Sequence, residues 1–394
     1  MIAERELNRH EAEIRLNILC NKLNLNPHLE FLTPEKLVAT CTLTNAVGDR
    51  VSAGAGKGQC CALGALAESI EHYLSESGKY IETQQTLSDE LLSRTEFNDD
   101  WIINSIPSSC TLHTCELQAL DDDARLPVPA ILLSPGEPLT FQTSSNTDLA
   151  FLAKYATNSG TALGCSENEA VLHALNEAIE RHALSVYYLS VCGLAPPLNL
   201  KKPSSSFLHE TFSSHLSLLR HSEKLRIYLT CDFYGTYFCI AINEQTTIDS
   251  LAVIGSGCSV LPDVALYRAV SEQMQCELLH NDEEKEADTL AAKLLSTSSR
   301  LQTLINPVLP TAVKSFHPPR TALSLRNQIQ QTLLNLKKNG RSAFLRTLFN
   351  EPGLACAVQI YIPGLERFHL IRSGNPVAPQ SALSRGIREP YAYL

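Results

Sequence analysis

Three stretches of the chain repeat one pattern: a strand-like run with closely spaced glycines, then a helix carrying polar residues at steps of four and three. Ala53-Gly54-Ala55-Gly56-Lys57-Gly58 precedes Gly64, Glu68 and Glu71; Asn158-Ser159-Gly160-Thr161-Ala162-Leu163-Gly164 precedes His173, Glu177 and Glu180; Leu251 to Gly257 precedes Arg268, Glu272 and Gln275. Such steps keep side chains on one helical face. The opposite faces are apolar, with Leu63, Leu66, Ala67 and Ile70 in the first helix, Val171, Ala174, Leu175, Ala178 and Ile179 in the second, and Leu266, Ala269 and Val270 in the third. Helices of this kind pack on sheets and leave their polar stripes free to meet. The expected class is therefore α/β (α+β), with mixed sheets and flanking helices.

The remaining elements follow from local pattern. Residues 4 to 24 read as an amphipathic helix, 37 to 44 as a strand, and Ala53 to Gly58 as a glycine turn before a helix over about 61 to 74. A helix is expected at 82 to 95 and β-like pieces at 126 to 133. The second patterned helix should span about 168 to 189, with further helices at 209 to 222, 263 to 280 and 325 to 336. Strands are expected at 226 to 229, 237 to 242 and 354 to 362. An acidic run opens a possible surface insertion at 281 to 320, and a tail with little pattern follows Pro363-Gly364. One domain, with its core at about 40 to 375, accommodates all of this.

With 32 Lys and Arg against 42 Asp and Glu, the net charge is −10 and no basic block is present, which argues against nucleic-acid partners. Nowhere do ~18 apolar residues run together, so no membrane span is expected. The amino terminus lacks a secretory pattern, and the 13 cysteines suit reduced, buried thiols. A cytoplasmic protein is expected.

Four carboxylates from two helices repel one another unless a cation neutralises them, and Mg²⁺, completed by nucleotide phosphate, is the economical solution. Taken one pair at a time, Glu68/Glu71 and Glu177/Glu180 read more readily as solvated helix faces; their recurrence after three similar turns favours a site. Lys57, between two glycines, could meet phosphate, although Gly-Lys-Gly is not a P-loop pattern and a lysine in such a loop is more often simply exposed. Cys110-x-x-His113-x-Cys115 lacks a second ligand pair and reads as strand alternation rather than zinc. His72 and His182, near the Glu pairs, could each carry a proton but read more readily as residues that cap or cover the site.

Asn158-Ser159-Gly160-x-x-x-Gly164, Asn168-Glu169-Ala170, Glu177-x-x-Glu180-Arg181, Gly56-Lys57-Gly58 with Glu68-x-x-Glu71, Arg268-x-x-x-Glu272-x-x-Gln275 and Ile362-Pro363-Gly364-Leu365-Glu366 occur in an order that resembles the YcaO family, ATP-dependent enzymes that modify peptide backbone amides. The resemblance implies three similar strand-turn-helix units around one ATP site. It assigns Glu68, Glu71, Glu177 and Glu180 to Mg²⁺ ions bridging the nucleotide phosphates, and Lys57, Glu169, Arg268, Glu272 and Gln275 to the nucleotide pocket. It further implies that a Cys, Ser or Thr side chain, or sulfide, adds to the amide carbonyl of a peptide or protein substrate. ATP then phosphorylates the resulting oxygen, giving an azoline, a thioamide or an amidine. A separate leader-binding or sulfur-handling partner, and a homodimer, are expected on the same ground. The alternative is a nucleotide-binding accessory protein that assists a partner enzyme. This chain departs from the family pattern at Ser159, at Cys165, at His72 in place of an Arg, and in a tail, Ile387 to Leu394, without the Pro-rich ending of azoline-forming members.

Overall fold

The structure is a computed structural model describing residues 4–76, 82–134, 147–243, 250–308, 314–319 and 322–388. In chain order its elements begin with α1 (Arg9–Lys22), β1 (Asn26–Phe31), β2 (Val38–Thr44), β3 (Arg50–Lys57) and α2 (Cys61–Glu76). Next come β4 (Gln84–Leu87), α3 (Ser88–Leu92), β5 (Thr111–Ala119), β6 (Arg125–Pro129), β7 (Thr161–Gly164) and α4 (Glu167–Val191). The middle of the chain supplies β8 (Lys202–Pro203), α5 (Ser205–Phe212), α6 (Leu216–Ser222), β9 (Arg226–Phe233), β10 (Thr236–Ile242), β11 (Ile254–Ser259) and α7 (Pro262–Leu279). The last elements are α8 (Asp282–Leu295), α9 (Ser299–Gln302), β12 (Ser315–Phe316), α10 (Leu325–Lys338), β13 (Phe344–Glu351), β14 (Ala355–Tyr361) and α11 (Gln380–Arg388).

Among the described residues these strands form three antiparallel sheets and one short parallel pair. One sheet runs β1-β2-β3, a second β11-β10-β9, and a six-stranded sheet runs β4-β5-β13-β14-β7 with β6 paired to β5; β8 and β12 make the parallel pair. The main core joins α4 to the six-stranded sheet through Ala174, Leu175, Ile179, Val358 and Ile360. A second core lies between α1, α2 and β2, with Leu16, Leu19, Cys41, Ala65 and Ile70. A third packs α5, α6 and α7 on β9 and β10.

The glycines of the first and third patterned stretches sit in strands, where a turn was expected. Gly54 and Gly56 lie in β3, Gly255 and Gly257 in β11, and residues two apart point to the same face. A Cβ on Gly56 would collide with the backbone of α2 at Cys61 and Ala65, and one on Gly255 with the backbone of α7 at Ala269 and Gln273. Their function is close approach: each lets a helix lie directly against its strand. The true turn before α2 is the short helical run Gly58–Cys60, entered at Gly58 with φ of +72°.

Other expectations change for local reasons. Residues 82 to 95 are not one helix: β4 pairs with β5 through Gln84 to Leu87, and only Ser88–Leu92 is helical. The expected helix at 209 to 222 is divided into α5 and α6. The residues after Pro363 are ordered, with a 3-10 run at Phe368–Ser373 and then α11, while residues 389–394 of the tail lie outside the described residues. Within 281 to 320, α8 places Ala291, Ala292 and Leu295 in the main core; residues 309–313 and 320 are outside the description. Helix α1 starts at Arg9, where Asn8 and Glu11 form a reciprocal capping box, so residues 4 to 8 run on a separate course.

Candidate functional site

Acids of the three patterned helices lie close enough to shift one another's ionisation, and the units are tied together by hydrogen bonds and an ion pair. Glu71 of α2 accepts from the Leu163 amide of β7 at 2.8 Å. Glu180 of α4 accepts from Ser256 Oγ of β11 at 2.6 Å. Glu272 of α7 forms an ion pair with Lys57 at the end of β3. The three links close a ring: first unit to second, second to third, third to first. Glu68 completes its own corner by accepting from the Ala55 amide at 3.0 Å. His72 Nδ1 lies 2.7 Å from the Ala53 carbonyl, which fixes the proton there and leaves Nε2 3.9 Å from Glu68 Oε1.

The crowding shows in the ionisation of these groups. Burial, and then the nearby Glu177 carboxylate, holds Glu71 well above the usual carboxylate range. Burial lifts Glu177 to about 7, against the pull of Arg181, whose Nε is 3.7 Å away. Glu180 is raised by burial and by Glu272, and Glu68 is raised by burial in the cleft. For Glu272 burial acts upward, but Lys57 and Arg181 outweigh it and hold the group below its ordinary value.

A divalent cation fits this donor set. The groups are hard carboxylate oxygens held above their ordinary values first by burial and, for Glu71, Glu177 and Glu180, also by a neighbouring carboxylate; a cation would offset both. Among the described residues no three His, Cys, Asp or Glu side chains already stand in metal-ligating geometry. Mg²⁺ usually takes one or two carboxylates together with water and substrate phosphate rather than a complete protein cage.

The other expected pocket residues divide. Lys57 and Glu272 lie within the ring, whereas Gln275 is buried on α7. Glu169 and Arg268 are brought near the same cleft but are engaged by the segment before α1. Glu169 accepts from the Glu6 amide at 2.6 Å, the Leu7 amide at 3.3 Å and the Cys165 amide at 3.2 Å. Arg268 donates to the Cys258 carbonyl at 3.1 Å and pairs with Glu4 Oε2 at 2.5 Å. Cys165 is a buried thiol, its pKa pushed up to about 11 by burial and by Glu169. His182 is buried and held down to about 4, with its Nδ1 accepting from the Glu366 amide. Cys115 and His113 make separate contacts, to Arg346 and Thr83.

Several residues of the site carry little or no sequence signal. Ser256 lies between two glycines, and nothing in its spacing marks it as the donor that joins Glu180 to the third unit. Arg181, known from its motif, gains its place from Glu177 beside it. Glu4, Asn176 and Ser259 come from distant parts of the chain, and only folding brings them together.

Antiparallel sheets with flanking helices, carrying the acids of three helices side by side, define an α/β protein with a candidate cation and phosphate site. A family model described as YcaO cyclodehydratase, ATP- and Mg²⁺-binding, matches residues 55–366, and the chain belongs to the YcaO family. Members of that family are ATP- and Mg²⁺-dependent enzymes. The fold is similar to that of YcaO from Methanopyrus kandleri bound with AMPPCP and Mg²⁺, at TM-score 0.61 and 17% identity over 94% of each chain. It is also similar to a heterocyclase in complex with substrate and cofactor, at TM-score 0.64 and 16% identity over 93% of this chain. This chain spans 54% of that heterocyclase. A chain of the E. coli microcin synthetase McbBCD complex matches at TM-score 0.54 and 15% identity, covering 87% of this chain and 88% of the other. A comparison with curated proteins by sequence returns no match.

Proposed function

We propose that this chain, working as a single domain, uses ATP and Mg²⁺ to activate a backbone amide of a peptide or protein substrate. The observation that supports the reading is the ring of contacts, Glu71 with Leu163, Glu180 with Ser256 and Glu272 with Lys57, that brings the three acid-bearing helices together beside Arg181. Three similar strand–helix units around one nucleotide site are what such a reading requires. Glu68, Glu71, Glu177 and Glu180 would hold Mg²⁺, and Lys57, Glu169, Arg268, Glu272 and Gln275 would line the nucleotide pocket. When bound, Mg²⁺ aligns the phosphates and neutralises charge during phosphoryl transfer.

The chain's own residues do the positioning. Ser256 fixes the rotamer of Glu180, the Leu163 amide fixes Glu71, and Lys57 keeps Glu272 ionised. A nucleophile adds to the amide carbon, the amide oxygen takes the γ-phosphoryl group, and phosphate then leaves with that oxygen. A substrate Cys, Ser or Thr as nucleophile gives an azoline, and sulfide gives a thioamide. A separate partner protein is proposed as well, and the multi-chain microcin synthetase McbBCD complex is in keeping with it. The test is calorimetric ATP binding with and without Mg²⁺. Binding is expected to require the metal and to be lost in the double variant Glu177→Gln, Glu180→Gln; unchanged binding in that variant refutes the reading.

A further inference from the structure

Residues 4 to 7 pack against Glu169 and Arg268, two of the residues proposed above for the nucleotide pocket. The Glu4 side chain is only 4% exposed, an unusual position for a carboxylate near a chain terminus. Its Oε1 accepts from Ser259 Oγ at 2.5 Å and from Asn176 Nδ2 at 3.3 Å, and its Oε2 faces Arg268 Nη2 at 2.5 Å. Asn176 lies one residue before Glu177 on α4, and Arg268 opens the polar stripe of α7. One turn further out, the Glu6 and Leu7 amides cap Glu169, and Asn168 Nδ2 donates to Glu6 Oε1 at 2.8 Å. Arg5 stands 3.8 Å from Glu169 Oε2. The arm therefore engages both of the pocket residues that lie outside the ring and are not simply buried in a helix.

We propose that residues 4 to 7 are an intramolecular plug whose Glu4 carboxylate holds the Arg268 guanidinium against the phosphates of a nucleoside triphosphate, so that nucleotide binding requires the arm to leave. The proposal rests on the nucleotide reading given under Proposed function. A guanidinium fork suits carboxylate and phosphate alike, and two anions brought to its same edge repel, so a phosphate competes with Glu4 for it. The arm can leave without unwinding α1. The cap of that helix is made locally by Asn8 and Glu11, and its body is held by Leu16, Leu19 and Cys20 in the second core. The plug is also an imperfect ligand. With the arm docked, Asn176 Oδ1 and Glu4 Oε2 are both buried without a hydrogen-bond partner among the described residues, Glu4 Oε2 meeting Arg268 as an ion pair alone.

The experiment compares the full-length protein with Glu4→Gln, using ATP with Mg²⁺ in calorimetry and following hydrogen exchange in the peptide that contains the Glu6 and Leu7 amides. Removing the Glu4 charge is expected to tighten ATP binding by about tenfold or more, because less of the protein is held in the closed form. In the wild type, saturating ATP is expected to release the protection of those amides. Equal or weaker ATP binding by the variant, or protection that survives saturation, overturns the plug and makes the arm a fixed wall of the pocket. If neither protein binds ATP, the nucleotide reading fails and the plug fails with it; equal binding by both defeats the plug alone.

Discussion

Replacing Glu177 by Gln removes one ionisable carboxylate from the cleft while keeping its size, and the structure sets both the sign and the size of the result. Burial lifts Glu177 to about 7 in the folded chain, against an ordinary value of 4.5. The folded state thus holds a proton there that the unfolded state gives up earlier. Its contribution to stability is complete below the unfolded value and is lost as pH rises through the folded one. Between pH 5 and pH 8 linkage gives a loss of about 2.5 kcal/mol from this group in the wild type, which the Gln variant should escape. The side chain is 27% exposed, which allows some screening and makes this an upper figure. Urea denaturation across that range without divalent metal measures it. The wild type should lose stability relative to Glu177→Gln as pH rises; parallel profiles would refute the account of the cleft as a set of mutually repelling, desolvated acids.

Ser256→Ala removes the donor to Glu180 and should cost about 2 kcal/mol at neutral pH, read by denaturation, since it strips a buried carboxyl of a hydrogen bond. Gly56→Ala should destabilise by more than about 3 kcal/mol, at or beyond the top of the usual overpacking range, because the new methyl meets backbone rather than a movable side chain. A thermal melt of that variant within a degree or two of wild type would contradict the close-approach function of β3.

Much of this was legible in the chain before folding. The steps from Glu68 to Glu71 and from Glu177 to Glu180 place each pair on one helical face, and the apolar positions opposite them dictate which side packs. Helices α2, α4, α7 and α10 and strands β2, β10 and β14 therefore fall close to where periodicity puts them. The errors were local ambiguities. Gly54 and Gly56 look like a turn because glycine is the commonest turn residue, yet their spacing of two is also that of one strand face pressed by a helix. Residues 84 to 87 pattern weakly, and only the edge of β5 makes them a strand.

Sequence alone determined which residue types were available for a metal and nucleotide site, and their order placed the chain in its family, because side-chain spacing along a helix is set by the backbone period. It could not determine how the three stripes meet. That was decided by contacts between residues far apart in the chain: Leu163 with Glu71, Ser256 with Glu180 and Lys57 with Glu272. The same holds for the arm. Nothing in the pattern of Glu4 to Leu7 distinguishes them from the first turn of a helix, and only the tertiary fold sets Glu4 against Arg268, more than half the chain away, in a pocket whose burial makes a single carboxylate matter.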